Sequence, residues 1–202
     1  MIDDSIFLKA LRKEKLPVPP IWYMRQAGRY MPEYRAVRKN FKNFLDMCKN
    51  PEVCCELALQ PIDAFKLDAA ILFSDILTVP DAFGLEVQFI ENEGPVFQNP
   101  IEKVDDIDNL MPFDPESLSY VYEAITNIKN ALPSNIPLIG FCGSPWTLAA
   151  YSIEGRSSKD FKKTIGFIKE NPNKAHLLLS KLTDACFLYL RKQVQAGADV
   201  IQ

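Results

Sequence analysis

The chain has 202 residues, a formal net charge of −3, 48% hydrophobic residues and 24% charged residues. That balance excludes a disordered polymer, and the mild acidity argues against a nucleic-acid binder, which needs a basic face. No apolar run reaches the roughly 18 residues that span a bilayer, and the N-terminus carries acidic residues first with no apolar core, so neither a membrane anchor nor a secretory leader is expected.

In chain order, Ser5 to Lys15 reads as a short helix with Ser5 as N-cap and Ile6, Leu8 and Leu11 as apolar positions. Pro17, Pro19 and Pro20 end it and force an extended entry into Ile21–Tyr30, which begins like a strand and becomes a glycine-hinged loop. Helices are predicted at about Pro32–Arg38, Asn43–Met47 and Pro51–Phe65. Asp68–Phe73 is a short apolar run with no helical period, as expected of a parallel strand covered on both faces. Residues Leu85–Ile90 alternate like an accessory strand. Val104–Asn109 is predicted as a turn or two of helix and Pro115–Ala131 as a full helix. A second buried strand covers Ile136–Phe141. Helices follow at Trp146–Ile153, Ser158–Lys169 and Pro172–Gln195, and Gly197–Gln202 begins a third buried strand.

Strands alternating with helices imply a parallel sheet in an α/β fold. Both an open doubly wound sheet and a (β/α)8 barrel satisfy the pattern. A barrel typically takes about 250 residues, and only about three of its strands are visible. The expectation is therefore a single domain over residues 1–202 that forms the N-terminal portion of an incomplete barrel, without enzymatic activity by itself.

In such folds ligands bind at the carboxyl ends of the strands. Asp75 follows the first strand there, where aspartate also serves as a helix cap. Gly140–Thr147 leaves the second strand through small residues that allow a sharp turn or a close approach to a ligand. Tyr151, in the helix beyond, offers a phenol to a pocket rim or to the core. Arg25-Gln26-Ala27-Gly28-Arg29 sets two guanidinium groups about an Ala-Gly pair, with Trp22, Tyr23 and Tyr30 beside them. Arginine suits bidentate binding of carboxylate or phosphate, and the aromatic surroundings favour an anion site over a solvated loop.

Absent patterns narrow the chemistry. No GxGxxG follows a strand, and neither a GxxxxGK[ST] loop nor a GxSxG elbow occurs. The five cysteines (Cys48, Cys54, Cys55, Cys142 and Cys186) are irregularly spaced without a CxxC pair, and the only histidine, His176, cannot complete a zinc site of the usual spacing. Reduced structural thiols in a cytoplasmic setting fit best, with no metal. The residues point to an anionic substrate handled by arginine and aspartate.

These segments resemble the uroporphyrinogen decarboxylase family. Pro20–Arg29 is similar to its N-terminal signature, Gly140–Gly155 to its second signature, and Phe73–Leu77 to the segment bearing its central aspartate; Pro51–Pro61 is also family-like. The resemblance implies a (β/α)8 TIM-type barrel with an N-terminal extension, usually a homodimer, with no cofactor and no metal. It implies decarboxylation of the four acetate side chains of uroporphyrinogen III to methyl groups, giving coproporphyrinogen III and CO2. On this resemblance Asp75 faces the pyrrole N–H groups as the catalytic carboxylate. Arg25 and Arg29 hold substrate carboxylates, Gln26, Ala27 and Gly28 contribute backbone contacts, and Tyr151 bonds a substrate carboxylate. The family also draws a serine and a histidine from regions after the third strand, and His176 does not match that histidine. Related barrels that act on methyl-cobalamin and thiols use a zinc site whose ligands are not visible here. The competing expectation is a non-catalytic porphyrinogen-binding or dimer-interface fragment. Neither nucleic acid nor membrane is expected as a partner.

Overall fold

The computed structural model describes residues 2–24, 26–90 and 93–202. Its elements in chain order are α1 (Ile6–Leu11), α2 (Pro32–Arg38), α3 (Phe44–Cys48), α4 (Pro51–Ala64), β1 (Ala70–Ile71), α5 (Thr78–Pro80), β2 (Val87–Ile90), β3 (Gly94–Phe97), α6 (Val104–Asp108), α7 (Ser119–Ala131), β4 (Leu138–Gly140), α8 (Pro145–Glu154), α9 (Lys162–Glu170), α10 (Pro172–Ala196) and β5 (Val200–Ile201). Helix starts follow local chemistry. The Ser5 hydroxyl accepts the Leu8 N–H, Asn43 Oδ1 the Asp46 N–H at 2.8 Å, and Asn50 Oδ1 the Val53 N–H at 3.1 Å, with Pro51 in the first turn. Each cap satisfies one donor that the first turn of a helix leaves unpaired.

The chain divides into two compact units. The first comprises Met1–Ser74, Ser119–Phe141 and Lys192–Gln202. Its sheet has the order β1-β4-β5, all parallel, with Ala70 opposite Leu138 and Ile139 opposite Val200. The three buried strands read from the sequence are these three. Ala69, Ala70, Leu138 and Ile139 are essentially inaccessible, so the short apolar runs are covered as expected. Helix α7 buries Val121, Ala124, Ile125 and Ile128 and packs on α4. That i, i+3, i+4, i+7 spacing is one face of a helix. Truncating a fully buried isoleucine such as Ile125 to alanine typically costs about 2–5 kcal/mol. At the entrance to β4, the Asp199 carboxylate accepts the Leu138 N–H at 2.8 Å and also pairs with Lys129 of α7.

The second unit comprises Asp75–Leu118 and Cys142–Arg191. It holds the antiparallel pair β2-β3, with Val87 opposite Phe97, and helix α8 packed on α9 and α5. Glu154, buried at the end of α8, accepts both the backbone N–H and the hydroxyl of Thr164 and so fixes α9. Among the described residues no helix is long and apolar enough to cross a membrane.

Several boundaries differ from the sequence reading. Helix α1 stops at Leu11 rather than Lys15, because Lys13 turns left-handed (φ 62°) and its N–H returns to the Ala10 carbonyl. Helix α9 starts at Lys162 rather than Ser158: Phe161 is left-handed (φ 51°), and the Ser158 hydroxyl holds its N–H at 3.0 Å. Leu85 lies outside the accessory strand, in a wide helical turn over Asp81–Leu85, and β3 was not foreseen.

Candidate functional site

The arginine loop belongs to the first unit and is anchored beside β1. The Ile21 N–H donates to Asp68 Oδ2 at 2.7 Å, and the Asp68 N–H donates to the Ile21 carbonyl at 2.8 Å. Within the loop Gln26 is buried. Its Oε1 accepts the Tyr23 N–H at 3.2 Å, its carbonyl accepts the Tyr30 phenol, and its Nε2 has no hydrogen-bond partner among the described residues. Burial, reinforced by Tyr23, pushes the Tyr30 phenol above its ordinary value. The Gly28 carbonyl accepts the Met31 N–H at 2.9 Å and closes the turn. Met31 then enters an apolar cluster with Tyr34, Met47 and Leu57, against which Ala27 packs. Arg35 donates to the Arg29 carbonyl at 2.7 Å, while the Arg29 side chain is exposed. Arg25 lies outside the described residues. The loop is thus a backbone held from inside by a glutamine and a methionine, with Arg29 turned to solvent.

Asp75 opens the second unit, just beyond the carboxyl end of β1. It is half-buried, its Oδ1 accepts the Leu77 N–H at 2.8 Å, and its carbonyl accepts the Thr78 hydroxyl at 3.1 Å. This is an aspartate turn, in which the carboxylate binds the backbone two residues on. Leu77, not Asp75, occupies the N-cap position of α5. The local structural role weighed for this residue is therefore present in a modified form, and it fixes the orientation of the carboxylate.

Beyond β4, the peptide of Phe141 is held by a side chain that sequence reasoning missed. The Phe141 N–H donates to Gln193 Oε1 at 2.9 Å, and Gln193 Nε2 donates to the Phe141 carbonyl at 2.8 Å. Gln193 is wholly buried on α10. A glutamine on the otherwise apolar inward face of α10, in register with Ala175, Leu178, Leu182 and Tyr189, was the one signal that could have found it. In the second unit, the chain continues through Gly143, where a Cβ would lie 2.6 Å from Leu148 Cδ2 and 3.2 Å from Ile76 Cβ. The turn after β4 therefore packs directly on the residue next to Asp75, and only glycine fits. Ser144 then caps α8, its hydroxyl accepting the Thr147 N–H at 3.1 Å. Tyr151 is half-buried on α8, which packs against α5. Within this unit, Asp75 and Tyr151 are thus carried by neighbouring elements.

His176 is exposed, none of the five cysteines is in a disulfide, and no group of three or more metal-ligating side chains is assembled among the described residues. A cavity of about 470 Å³ in the second unit is lined by Lys103, Lys162, Lys163 and Glu170 among others, and contains none of the predicted site residues.

Parallel strands alternating with helices define an α/β protein, with its order β1-β4-β5 that of successive crossover units. Comparison with known proteins agrees. The family model described as uroporphyrinogen decarboxylase (URO-D) matches residues 3–202, and the chain belongs to this family, whose fold is a TIM barrel. It is 52% identical over 201 residues to the uroporphyrinogen decarboxylase of Legionella pneumophila, covering 99% of this chain and 57% of that protein. It is 53% identical over 196 residues to that of Francisella philomiragia, covering 96% of this chain and 56% of that protein. The chain therefore spans a little over half the length of these curated relatives. Among solved structures, a methyltransferase from Methanosarcina mazei aligns with a TM-score of 0.67 at 21% identity, covering 96% of this chain and 56% of that one, a likeness of fold.

Proposed function

We propose that residues 1–202 are the N-terminal portion of one barrel domain, and that this barrel is a uroporphyrinogen decarboxylase. It converts the four acetate side chains of uroporphyrinogen III to methyl groups, releasing CO2 and yielding coproporphyrinogen III. The observation that carries this reading is the 52% identity to a uroporphyrinogen decarboxylase along 99% of the chain.

The chemistry needs an electron sink for the pair left behind when the carboxylate departs. A pyrrole supplies one when its ring carbon is protonated, which places a positive charge on the ring. Breaking the C–CO2 bond returns that pair to the ring and leaves an exocyclic methylene, and a second proton completes the methyl group. A carboxylate at the pyrrole N–H groups stabilises the cation, and we assign this to Asp75. Its orientation, already set by the Leu77 N–H, supports that role, because a preorganised charge costs no reorganisation during the reaction. Arg25 and Arg29 hold substrate carboxylates, the backbone of Gln26, Ala27 and Gly28 lines the anion, and Tyr151 bonds a further carboxylate. The reaction runs without metal or organic cofactor, in the cytoplasm, in a homodimer that requires neither nucleic acid nor membrane.

The test compares the complete protein with its Asp75→Asn variant, following coproporphyrinogen formation with and without chelator. Asparagine keeps an Oδ1 acceptor for Leu77, so the turn survives and only the charge is lost. Turnover should fall by about a hundredfold or more, corresponding to roughly 3 kcal/mol, with substrate binding largely kept. Near-normal turnover would return Asp75 to a purely structural role. Binding without turnover in the parent would favour a porphyrinogen-binding fragment, and chelator-sensitive activity restored by zinc would overturn the cofactor-free reaction.

A further inference from the structure

Two thiols have no part in this chemistry. Cys142 follows Phe141 in the turn between β4 and α8 and is half-buried, while Cys186 lies buried on α10. The two are 44 positions apart in the chain, yet they share a hydrogen bond, and Cys186 Sγ lies 3.6 Å from the carbonyl oxygen of Gly143, the residue after Cys142. That bond is the leading influence on both groups. It pushes the Cys142 thiol above its ordinary value, with burial adding to the effect, and pushes the Cys186 thiol below it, against burial. One proton of the pair is therefore released more readily than the other, and the thiolate is the reactive form of cysteine.

The remaining thiols differ. Cys54 is fully buried and its thiol donates to the Cys48 carbonyl at 3.3 Å; burial pushes it up to about 12. Burial also pushes up Cys55, its neighbour on α4. Consecutive helical residues point about 100° apart, which disfavours a mutual bridge. Cys48 is buried in the first unit.

We propose that Cys142 and Cys186 form a reversible redox pair, which hydroperoxides oxidise to an intramolecular disulfide that ties the β4–α8 turn to α10. The thiolate attacks one peroxide oxygen, the O–O bond breaks, and a sulfenic acid and one water result. The second thiol then attacks the sulfenic sulfur, forming the S–S bond and expelling a second water. Two thiols thus lose two electrons and two protons while one hydrogen peroxide is reduced to two waters. A dithiol reductant reverses the step by exchange.

The test is peptide mapping of the folded, reduced protein after brief exposure to hydrogen peroxide, acid quenching and alkylation in denaturant. Trypsin separates Asn130–Arg156, which carries Cys142, from Leu182–Arg191, which carries Cys186. The expected product is these two peptides joined and short of two hydrogens, with Cys48, Cys54 and Cys55 still alkylated. Dithiothreitol should restore both peptides, and Cys142→Ser or Cys186→Ser should abolish the link. Oxidation of Cys142 to sulfinic acid without a link would overturn the proposal, as would a link through Cys54 or Cys55 in its place.

Discussion

Replacing Gln193 with leucine removes one side chain and two hydrogen bonds at once. Leucine has a similar volume, so packing on α10 is largely kept and the loss is polar. The N–H and C=O of Phe141, now bonded at 2.9 and 2.8 Å, would both be left without their partner. An unsatisfied buried group costs about 1–3 kcal/mol. Phe141 is only half-buried, so water relieves part of this, and the expected destabilisation is about 2–4 kcal/mol. Urea unfolding of parent and variant, read from the midpoint at a common slope, measures it directly. Gln193→Asn should behave almost as leucine does, because the shorter side chain cannot reach both groups. Gln193→Glu should fall between them, keeping the acceptor and losing the donor. A leucine variant within about 0.5 kcal/mol of the parent, the range of an unremarkable surface substitution, would refute the reasoning.

Gly140→Ala should cost a comparable amount for a related reason: its Cβ would lie 2.4 Å from Gln193 Oε1 and 3.1 Å from Ala198 Cβ, displacing the same amide. The double variant Gly140→Ala, Gln193→Leu should then be less destabilised than the sum of the singles, by about 1 kcal/mol or more, and strict additivity in urea melts would contradict the shared mechanism. Arg25→Ala and Arg29→Ala should each raise KM for uroporphyrinogen about tenfold or more, since each leaves a substrate carboxylate without a partner. The Arg29 variant should leave the urea midpoint unchanged, as that side chain is exposed, and an unchanged KM would remove it from the anion site.

The sheet was legible because its signal is local. Asp68–Phe73, Ile136–Phe141 and the start at Gly197 are apolar runs between polar punctuation, and β1, β4 and β5 lie within them. Helices α2 and α4 were legible from Pro32 and Pro51 at their first turns. What was lost depended on distance. Gly94–Phe97 carries a glycine and a proline and becomes a strand only by pairing with Val87–Ile90, which no propensity of its own announces. Leu85 continues the alternation of β2 in sequence but is taken into a turn that glycine permits at Gly84 (φ 86°). Around the candidate site, residue types suggested an anion handled by arginine and aspartate, but gave no sign of the supports. Gln193 reads as a polar residue near a helix end, and its bond to Phe141 spans 52 positions.

Those supports are separate from the residues proposed to carry the chemistry. Three polar side chains of the first unit bond backbone beside its strands: Asp68, just before β1, holds Ile21, Asp199 holds Leu138 at the start of β4, and Gln193 holds Phe141 just after it. These bonds fix the strand ends without using the residues that follow them. Asp75 comes four positions after Ile71 in the chain, and Cys142 two after Gly140, so neither is itself one of the braces. Residues in such positions can change their chemistry at little cost in stability, whereas the braces cannot. Asp75→Asn and Arg29→Ala should therefore alter turnover or binding in a protein that unfolds normally, and Gln193→Leu should alter unfolding first. That separation distinguishes a site mounted on a rigid strand end from one whose own side chains hold the fold together.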